Sequence, residues 1–283
     1  MIGAWDSKGK LLGTVVNYAC HATTNPGGIS ANWIYYLERT IQGALDSHAP
    51  VVFLQGACGD VTQVDNLNPY ARPAPEAWAQ FVGGRVGAEA VKVLLSVPRS
   101  GDVPLDVRQK TWSIKRRVPS PAHLKEARDI IARGKRAPDL TDWIFAKETV
   151  LLDYLIAIEP AVEVEVQALQ IGPAVCISNP AEYFVNYGLE IKRGSRHAFT
   201  FPVELANGCV GYVPTEEAFG PHGGGYETRL TAYSNLEITA GRQFAETGIA
   251  LANELKPRPA PEFPKLAAPA KPWPYGNVPP QVD

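Results

Sequence analysis

Residues 51–63 read VVFLQGACGDVTQ, a run of apolar residues that stops abruptly in small residues, an aspartate and a threonine. The apolar part has the composition of a buried strand, and the glycines that follow it mark a tight turn. Asp60 and Thr62 then stand two positions apart, directly after the strand. Two interpretations are open: both side chains cap a turn, or the strand delivers them to a reaction site.

The bulk composition indicates a globular protein. A chain of 283 residues forms one large domain or two small ones. Its 45% hydrophobic and 20% charged residues, with a net charge of −2, predict no nucleic-acid partner. No apolar stretch approaches the roughly 20 residues that span a bilayer, so no transmembrane segment is expected. The opening MIGAWDSKGKLLG lacks the apolar region of a secretory signal peptide.

Strand-like and helix-like patterns are mixed along the chain. Strands are predicted around residues 11–19, 51–55, 100–118 and 161–178, with another near residue 200. A helix that begins behind Asn32 places four apolar side chains on one face: Trp33, Leu37, Ile41 and Leu45.

Further helices follow the same kind of pattern. The helix predicted after residue 76 has an apolar face formed by Phe81, Val86, Ala90 and Leu94. Ser120 and Pro121 form a helix start, and helices are expected over 121–134, 141–157 and near the end of the folded part. The fold class is therefore α/β or α+β: a mixed β-sheet core with flanking helices in a single large domain.

The end of the chain has a different composition. Residues 257–283 hold nine of the 25 prolines and almost no periodicity, which predicts an extended proline-rich tail. The folded domain is accordingly expected over residues 1–256.

The four cysteines are far apart and contain no CxxC pair, so a structural zinc finger is not expected. Small buried thiols are the favoured interpretation of their apolar surroundings, and a disulfide remains open.

Four short stretches each end an apolar run in a turn that offers a polar side chain: NYACHATT, FLQGACGDVT, SNPAEYF and ANGCVGYVPTEE. Catalytic and ligand-binding residues often lie where a rigid strand meets a loop. Taken singly, each has an ordinary explanation. A histidine at a strand end is usually a satisfied polar residue, a glutamate after proline usually starts a helix, and a tyrosine in a turn usually packs.

Taken together and in order, these stretches resemble the catalytic domain of the neutral/alkaline non-lysosomal ceramidase family. His21 stands where the family has a zinc-binding histidine after a strand, and GDVT stands where its GDxS turn supplies the nucleophile. NPAE places Glu182 at the zinc-binding glutamate, and GYVPTEE places Tyr212 at the zinc-binding tyrosine. The GGYE at 224–227 resembles the QxYE that follows in the family, and the resemblance runs from about residue 11 to 255.

The resemblance implies a zinc-dependent amidohydrolase that cleaves the N-acyl bond of ceramide or a related lipid. His21, Glu182 and Tyr212 would bind Zn²⁺, whose role is to activate a water or polarise a carbonyl. Thr62 would be the attacking hydroxyl, with Asp60 holding the turn or orienting a partner. A lipid-like N-acyl substrate, secretion or a periplasmic location, and peripheral contact with a membrane are further expectations.

The chain also departs from the family pattern. Thr62 replaces the family's serine, TQV replaces the SPN that normally follows, and SANW lacks an expected carboxylate. The first zinc histidine of the family lies upstream of any residue in this sequence, and the family's immunoglobulin-like C-terminal domain has no counterpart. Two alternatives therefore stay open: a non-catalytic or incomplete binding domain, and a hydrolase that uses a metal-activated water on another amide or ester.

Overall fold

The sheet that contains residues 51–55 is built from the first part of the chain. A computed structural model describes residues 1–64, 67, 74–101, 103–134, 140–263, 265 and 279–283. In it β1 (Ile2–Trp5), β2 (Leu11–Tyr18) and β3 (Val51–Gln55) form a three-stranded sheet in that order. β1 is antiparallel to β2, and β2 is parallel to β3. β3 is less buried than its composition predicts, because Val52 on its outer face is 50% exposed.

The parallel pair β2–β3 requires a crossover, which α1 (Trp33–Ala44) provides. As predicted, Asn32 caps this helix: its Oδ1 accepts the Trp33 amide at 2.9 Å. Trp33, Leu37 and Ile41 form the buried face of the helix. Leu45 is the C-cap, one residue beyond the last helical turn.

The helix α2 (Pro75–Ser96) packs on α1 through small residues. A Cβ on Gly83 would lie 2.0 Å from the Trp33 carbonyl oxygen, so only glycine permits this approach. The buried face is formed by Ala79, Gly83, Gly87, Ala90 and Leu94. The predicted face was wrong at its N-terminal end, because Phe81 is 49% exposed. Close packing between the helices selects small side chains, which a hydrophobicity pattern undervalues.

The second sheet has the order β4-β5-β6-β8 and consists of β4 (Leu105–Lys115), β5 (Ala161–Ile171), β6 (Ala174–Ser178) and β8 (Phe199–Val203). β4, β5 and β6 are antiparallel neighbours, and β6 is parallel to β8. The other helices are α3 (Pro121–Ala132), α4 (Leu140–Ile158), α5 (Val185–Gly194) and α6 (Ala240–Glu254). Ser120 caps α3 as expected, accepting the His123 amide at 3.1 Å. The larger core lies between this sheet, α5 and α6.

A short two-stranded ladder carries Glu182 and Tyr212, two of the predicted site residues. β7 (Glu182–Tyr183) and β9 (Tyr212–Val213) form a two-stranded parallel ladder. The sequence predicted loops at both positions, since two-residue strands leave no periodicity to detect. Short 3₁₀ turns follow at Glu216–Phe219 and Tyr226–Thr228.

The predicted fold class is confirmed: the chain is a mixed α/β structure in a single domain. The Asn17 side chain on β2 donates to the Pro202 carbonyl on β8 at 2.9 Å, and the Glu204 amide donates to Gln55 of β3 at 3.0 Å. These hydrogen bonds link the first sheet to the second.

The sequence also makes predictions about the cysteines, the proline-rich tail and membrane-spanning segments. All four cysteines are free, with Cys20 and Cys58 buried, so a disulfide is not formed. Most of the proline-rich tail, at residue 264 and residues 266–278, lies outside the described residues. Within the part of the chain that is described, no helix has both the length and the apolarity needed to cross a bilayer.

Candidate metal centre

His21 lies in the loop after β2, and backbone contacts fix its ring. Its amide donates to the Val61 carbonyl at 3.0 Å, and its Nδ1 is 3.1 Å from the same oxygen. A carbonyl oxygen only accepts, so in the neutral ring Nδ1 carries the proton and Nε2 keeps its lone pair. The turn after β3 therefore leaves Nε2 available as a ligand atom.

Glu182 and Tyr212 are brought side by side by the β7–β9 ladder, in which they are direct partners. Paired residues of neighbouring strands project to the same face of a ladder. The Glu182 amide donates to the Gly211 carbonyl at 2.9 Å, which continues the pairing by one residue. Two residues separated by thirty positions of sequence thus share one surface.

The three predicted metal ligands converge. His21 Nε2 lies 3.4 Å from a Glu182 carboxylate oxygen and 3.4 Å from the Tyr212 hydroxyl. The His21 and Tyr212 rings are nearly parallel, with an interplanar angle of 12° and centroids 6.3 Å apart. One nitrogen and two kinds of oxygen donor are a set that zinc accepts, so the residues present fit the ion.

A second tyrosine, Tyr226, lies next to Tyr212. The Tyr226 hydroxyl is 3.0 Å from that of Tyr212, and the Tyr226 side chain is 48% exposed. The Tyr212 hydroxyl is therefore in contact with His21 on one side and Tyr226 on the other. Within the described residues no group of three His, Cys, Asp or Glu side chains is placed to hold a metal, so this cluster has three donors only with the Tyr212 hydroxyl.

The electrostatics of the group follow from burial and from the glutamate. The Glu182 carboxylate raises the pKa of His21 above its ordinary value, and partial burial opposes this shift. Burial raises the pKa of Tyr212 strongly, with Tyr226 and Glu182 adding to the effect. In the metal-free chain Tyr212 is therefore a neutral phenol, and a bound cation would favour its ionisation.

The comparisons with known proteins show a likeness of fold. No family model matches the chain, and no curated protein matches it in sequence. The crystal structure of neutral ceramidase from Pseudomonas aeruginosa superposes with a TM-score of 0.62 at 17% identity, covering 91% of this chain and 47% of that one. The chain has a neutral ceramidase-like fold. A second structure, a ceramidase complexed with C2, gives a TM-score of 0.61 at 16% identity over 91% of this chain and 49% of that one.

The resemblance inferred from sequence motifs is confirmed at the level of the fold. The chain spans about half the length of each ceramidase that it matches. At this level of identity the likeness shows the fold alone.

Asp60, expected to have a catalytic or turn-holding role, contacts a helix start. Its Oδ1 accepts the amide of Val185, the first residue of α5, at 2.7 Å. Phe184 at the N-cap of α5 supplies no side-chain acceptor, so Asp60 provides the missing one. Asp60 thus links the turn after β3 to the start of α5.

Removing this contact should weaken the fold. Asp60→Ala leaves the Val185 amide without its acceptor, and we expect unfolding to become easier by about 1 kcal/mol. Asp60→Asn keeps an acceptor oxygen and should lose less than half of that. Urea unfolding monitored by tryptophan fluorescence measures both variants. Equal stability of Asp60→Ala and the wild type would contradict the capping role.

Thr62 is exposed and follows the residue that binds His21. Its Oγ1 accepts the Val64 amide at 3.1 Å, and the neighbouring Gln63 accepts a hydrogen bond from Thr23 at 3.0 Å. The segment that carries Thr62 is therefore fastened to the segment that carries His21. Among the described residues, Thr62 itself has no hydrogen bond to His21, Glu182 or Tyr212.

Sequence reasoning missed a buried acid beside this centre. Glu204, directly after β8, is 3% exposed, and its carboxylate contacts Cys58 and Tyr183. Burial raises the pKa of Glu204, while the hydrogen bonds that it accepts oppose this. The only available signal was a charged residue inside the apolar run FPVELA, and that signal carries no indication of its partners.

A large cavity opens beside Thr62. It has a volume of about 1450 Å³ and lies between β2 and α2. Its lining includes Thr62 and Gln63 together with the apolar side chains of Tyr18, Trp78 and Phe81. The exposed Phe81 is thus part of the wall of a groove.

Proposed function

We propose that this chain carries the centre of a zinc-dependent amidohydrolase that cleaves the N-acyl bond of ceramide or a related lipid. The observation that carries the proposal is the convergence of His21 Nε2, the Glu182 carboxylate and the Tyr212 hydroxyl at 3.4 Å. The neutral ceramidase-like fold supports the reaction class. Because the chain covers about half of those enzymes, the activity of the whole protein is part of the proposal.

His21, Glu182 and Tyr212 would hold the ion, which supplies a Lewis acid for an amide carbonyl or a water molecule. His21 contributes the Nε2 lone pair because Val61 holds the proton on Nδ1. Glu182 contributes the negative charge that favours a divalent cation. Tyr226 faces solvent and is in hydrogen-bonding distance of Tyr212, so it is placed to donate to a substrate oxygen or to Tyr212.

The cavity supports an apolar substrate. Its volume of about 1450 Å³ exceeds the roughly 300–1,000 Å³ of common ligand pockets and suits a long acyl chain. Tyr18, Trp78 and Phe81 supply apolar contact area, and Thr62 is part of the lining. The groove is also lined by three charged side chains: Arg85, Glu89 and Lys92. An acyl chain in this groove would bring its amide close to Thr62.

The role of Thr62 separates two versions of the enzyme. In the first, its hydroxyl oxygen attacks the amide carbon, the hydroxyl proton passes to the leaving amine as the C–N bond breaks, and water then hydrolyses the acyl ester on Thr62 to release the fatty acid. In the second, a water attacks and Thr62 only shapes the turn. The second is favoured by one observation: Thr62 Oγ1 accepts the Val64 amide and, among the described residues, has no hydrogen bond to the three metal ligands.

Hydrolysis of N-acyl sphingosine in detergent micelles by the zinc-loaded chain tests the proposal. We expect fatty acid release by the wild type, and Thr62→Ser should retain it because the hydroxyl is kept. Under direct attack, the near-isosteric Thr62→Val should lower kcat by at least about 100-fold. Full activity of Thr62→Val would assign the attack to water. No release by any variant, with zinc bound, would refute the hydrolase and leave a binding domain.

A further inference from the structure

The buried carboxylate of Glu204 joins segments that are distant in sequence. Its Oε2 accepts the Cys58 amide at 3.0 Å and the Tyr183 amide at 2.7 Å. Its Oε1 accepts the Cys58 thiol at 3.0 Å, and its own amide donates to the Gln55 carbonyl at 3.0 Å. A carboxylate accepts hydrogen bonds and donates none, and all three groups facing it are donors. The pocket around Glu204 is therefore matched to an ionised side chain.

One of these donors leads directly to His21. The Cys58 sulfur lies 3.4 Å from His21 Nδ1, on the side of the ring where Val61 accepts the Nδ1 proton. Since the thiol proton is directed to Glu204, the sulfur presents its lone pair to the Nδ1–H group. Each group thus donates to the next: His21 Nδ1–H faces the Cys58 sulfur, and the Cys58 thiol donates to the Glu204 carboxylate. The same sulfur also accepts from the Gln55 side-chain amide, and the Val61 carbonyl accepts from Nδ1.

The second donor leads to Glu182. Tyr183 follows Glu182 in β7, and its amide is held by Glu204. The turn after β3 packs against the same strand, because a Cβ on Gly59 would lie 2.6 Å from the Glu182 carbonyl oxygen. Glu204 thus sets the separation between the turn that orients His21 and the strand that carries Glu182.

We propose that Glu204 is a positioning residue of the metal centre. It holds the turn that carries Cys58 and Val61 against β7, and this turn keeps the Val61 carbonyl in place to accept the Nδ1 proton of His21, so that Nε2 faces Glu182 and Tyr212. Its relevance to catalysis rests on the proposed function, whereas its effect on His21 does not. Outer partners that orient a ligating histidine typically contribute 10–100-fold to metal affinity.

The experiment compares Glu204→Gln with Gln170→Ala as a matched control. Gln170 is also buried, and its side chain donates two hydrogen bonds, to Gly172 and Lys256, far from the centre. The imidazole ¹⁵N shifts of His21 report which ring nitrogen carries the proton, and a chelator competition measures zinc affinity. For Glu204→Gln we expect a shift towards the Nε2–H tautomer and a loss of zinc affinity of about 10–100-fold. The control should change neither.

A second pair of variants covers the case in which Glu204→Gln does not fold. Cys58→Ala removes the group between Glu204 and His21 but leaves the amide of residue 58 to donate, whereas Cys58→Ser keeps a hydroxyl that donates and accepts. We expect Cys58→Ala to move the His21 shifts in the same direction as Glu204→Gln but by less, because the Val61 carbonyl still accepts the Nδ1 proton, and we expect Cys58→Ser to leave them unchanged. Unchanged His21 shifts in both Glu204→Gln and Cys58→Ala would overturn the proposal. A wild type that binds no zinc, with the His21 shifts changing as expected, would refute the proposed function alone.

Discussion

His21→Ala should reduce the zinc content of the purified chain from about one ion per molecule to none. The histidine supplies the only nitrogen of the three converging donors, and its ring is the one whose tautomer the surrounding backbone fixes. Glu182 and Tyr212 alone leave two oxygen donors, which are too few for tight zinc binding. We expect zinc affinity to fall by at least about 100-fold, since even outer partners contribute up to that amount. N-acyl amide hydrolysis should disappear with the ion.

Elemental mass spectrometry of metal-loaded, desalted protein measures the zinc content. The matched control is His222→Ala, because His222 is an exposed histidine in a glycine-rich loop and should leave zinc content unchanged. Equal loss in both variants would show that zinc binds histidines non-specifically. Retention of zinc by His21→Ala would contradict the assigned ligand set.

Gly211→Ala should destabilise the fold by about 3 kcal/mol or more and should also disturb the centre. Gly211 has a φ of +77°, a conformation that costs an L-residue roughly 1–2 kcal/mol. Its added Cβ would lie 1.9 Å from the Tyr233 carbonyl oxygen, so the backbone itself would have to move. That carbonyl accepts the Tyr212 amide at 2.8 Å, and the Gly211 carbonyl accepts the Glu182 amide. The positions of Tyr212 and Glu182, two of the proposed metal ligands, therefore depend on this approach.

Gly134→Ala is the control that separates the cost of the positive φ from the cost of the close approach. Gly134 has a nearly identical φ of +80°, but among the described residues no atom lies within 4 Å of a Cβ placed there. This control should cost only the roughly 1–2 kcal/mol of the left-handed conformation. Denaturant unfolding of both variants, with zinc content measured beside it, checks the result. Similar stability losses in the two variants would contradict the close approach at Gly211.

Much of the fold could be predicted because it is encoded by neighbours in sequence. Asn32 and Ser120 are caps that act within three residues, and both form the hydrogen bonds that their positions predict. Mixed strand and helix periodicity was sufficient for the fold class. Periodicity failed where close packing against a neighbouring helix, and not hydrophobicity, decides which side chains are buried. Gly83 faces α1, whereas Phe81 lines the groove between β2 and α2.

The basic run at residues 115–118 shows the same limit. A short positive run at a strand end reads as solvated, yet the Arg116 side chain is 7% exposed and pairs with Glu159 and Asn235. Arg117 donates to the Ser234 and Leu236 carbonyls and lies over the Phe219 ring. Burial lowers the pKa of Arg117 to about 10. Glu159 lies 43 positions from Arg116 and the other partners lie more than a hundred positions away, so no local pattern indicates them.

By itself the sequence determined the helices, most strands, and the motif order that singled out His21, Glu182 and Tyr212. Only the tertiary structure decided that these three meet, that Asp60 holds α5 and that Glu204 lies beneath the centre. The physical reason is the distance along the sequence over which each interaction acts. Caps and periodicity act within a few residues, whereas the β7–β9 register and the Cys58–Glu204 contact, 146 positions apart, exist only once both sheets have assembled. A buried carboxylate acquires its role from the donors that surround it, and those donors come from the fold.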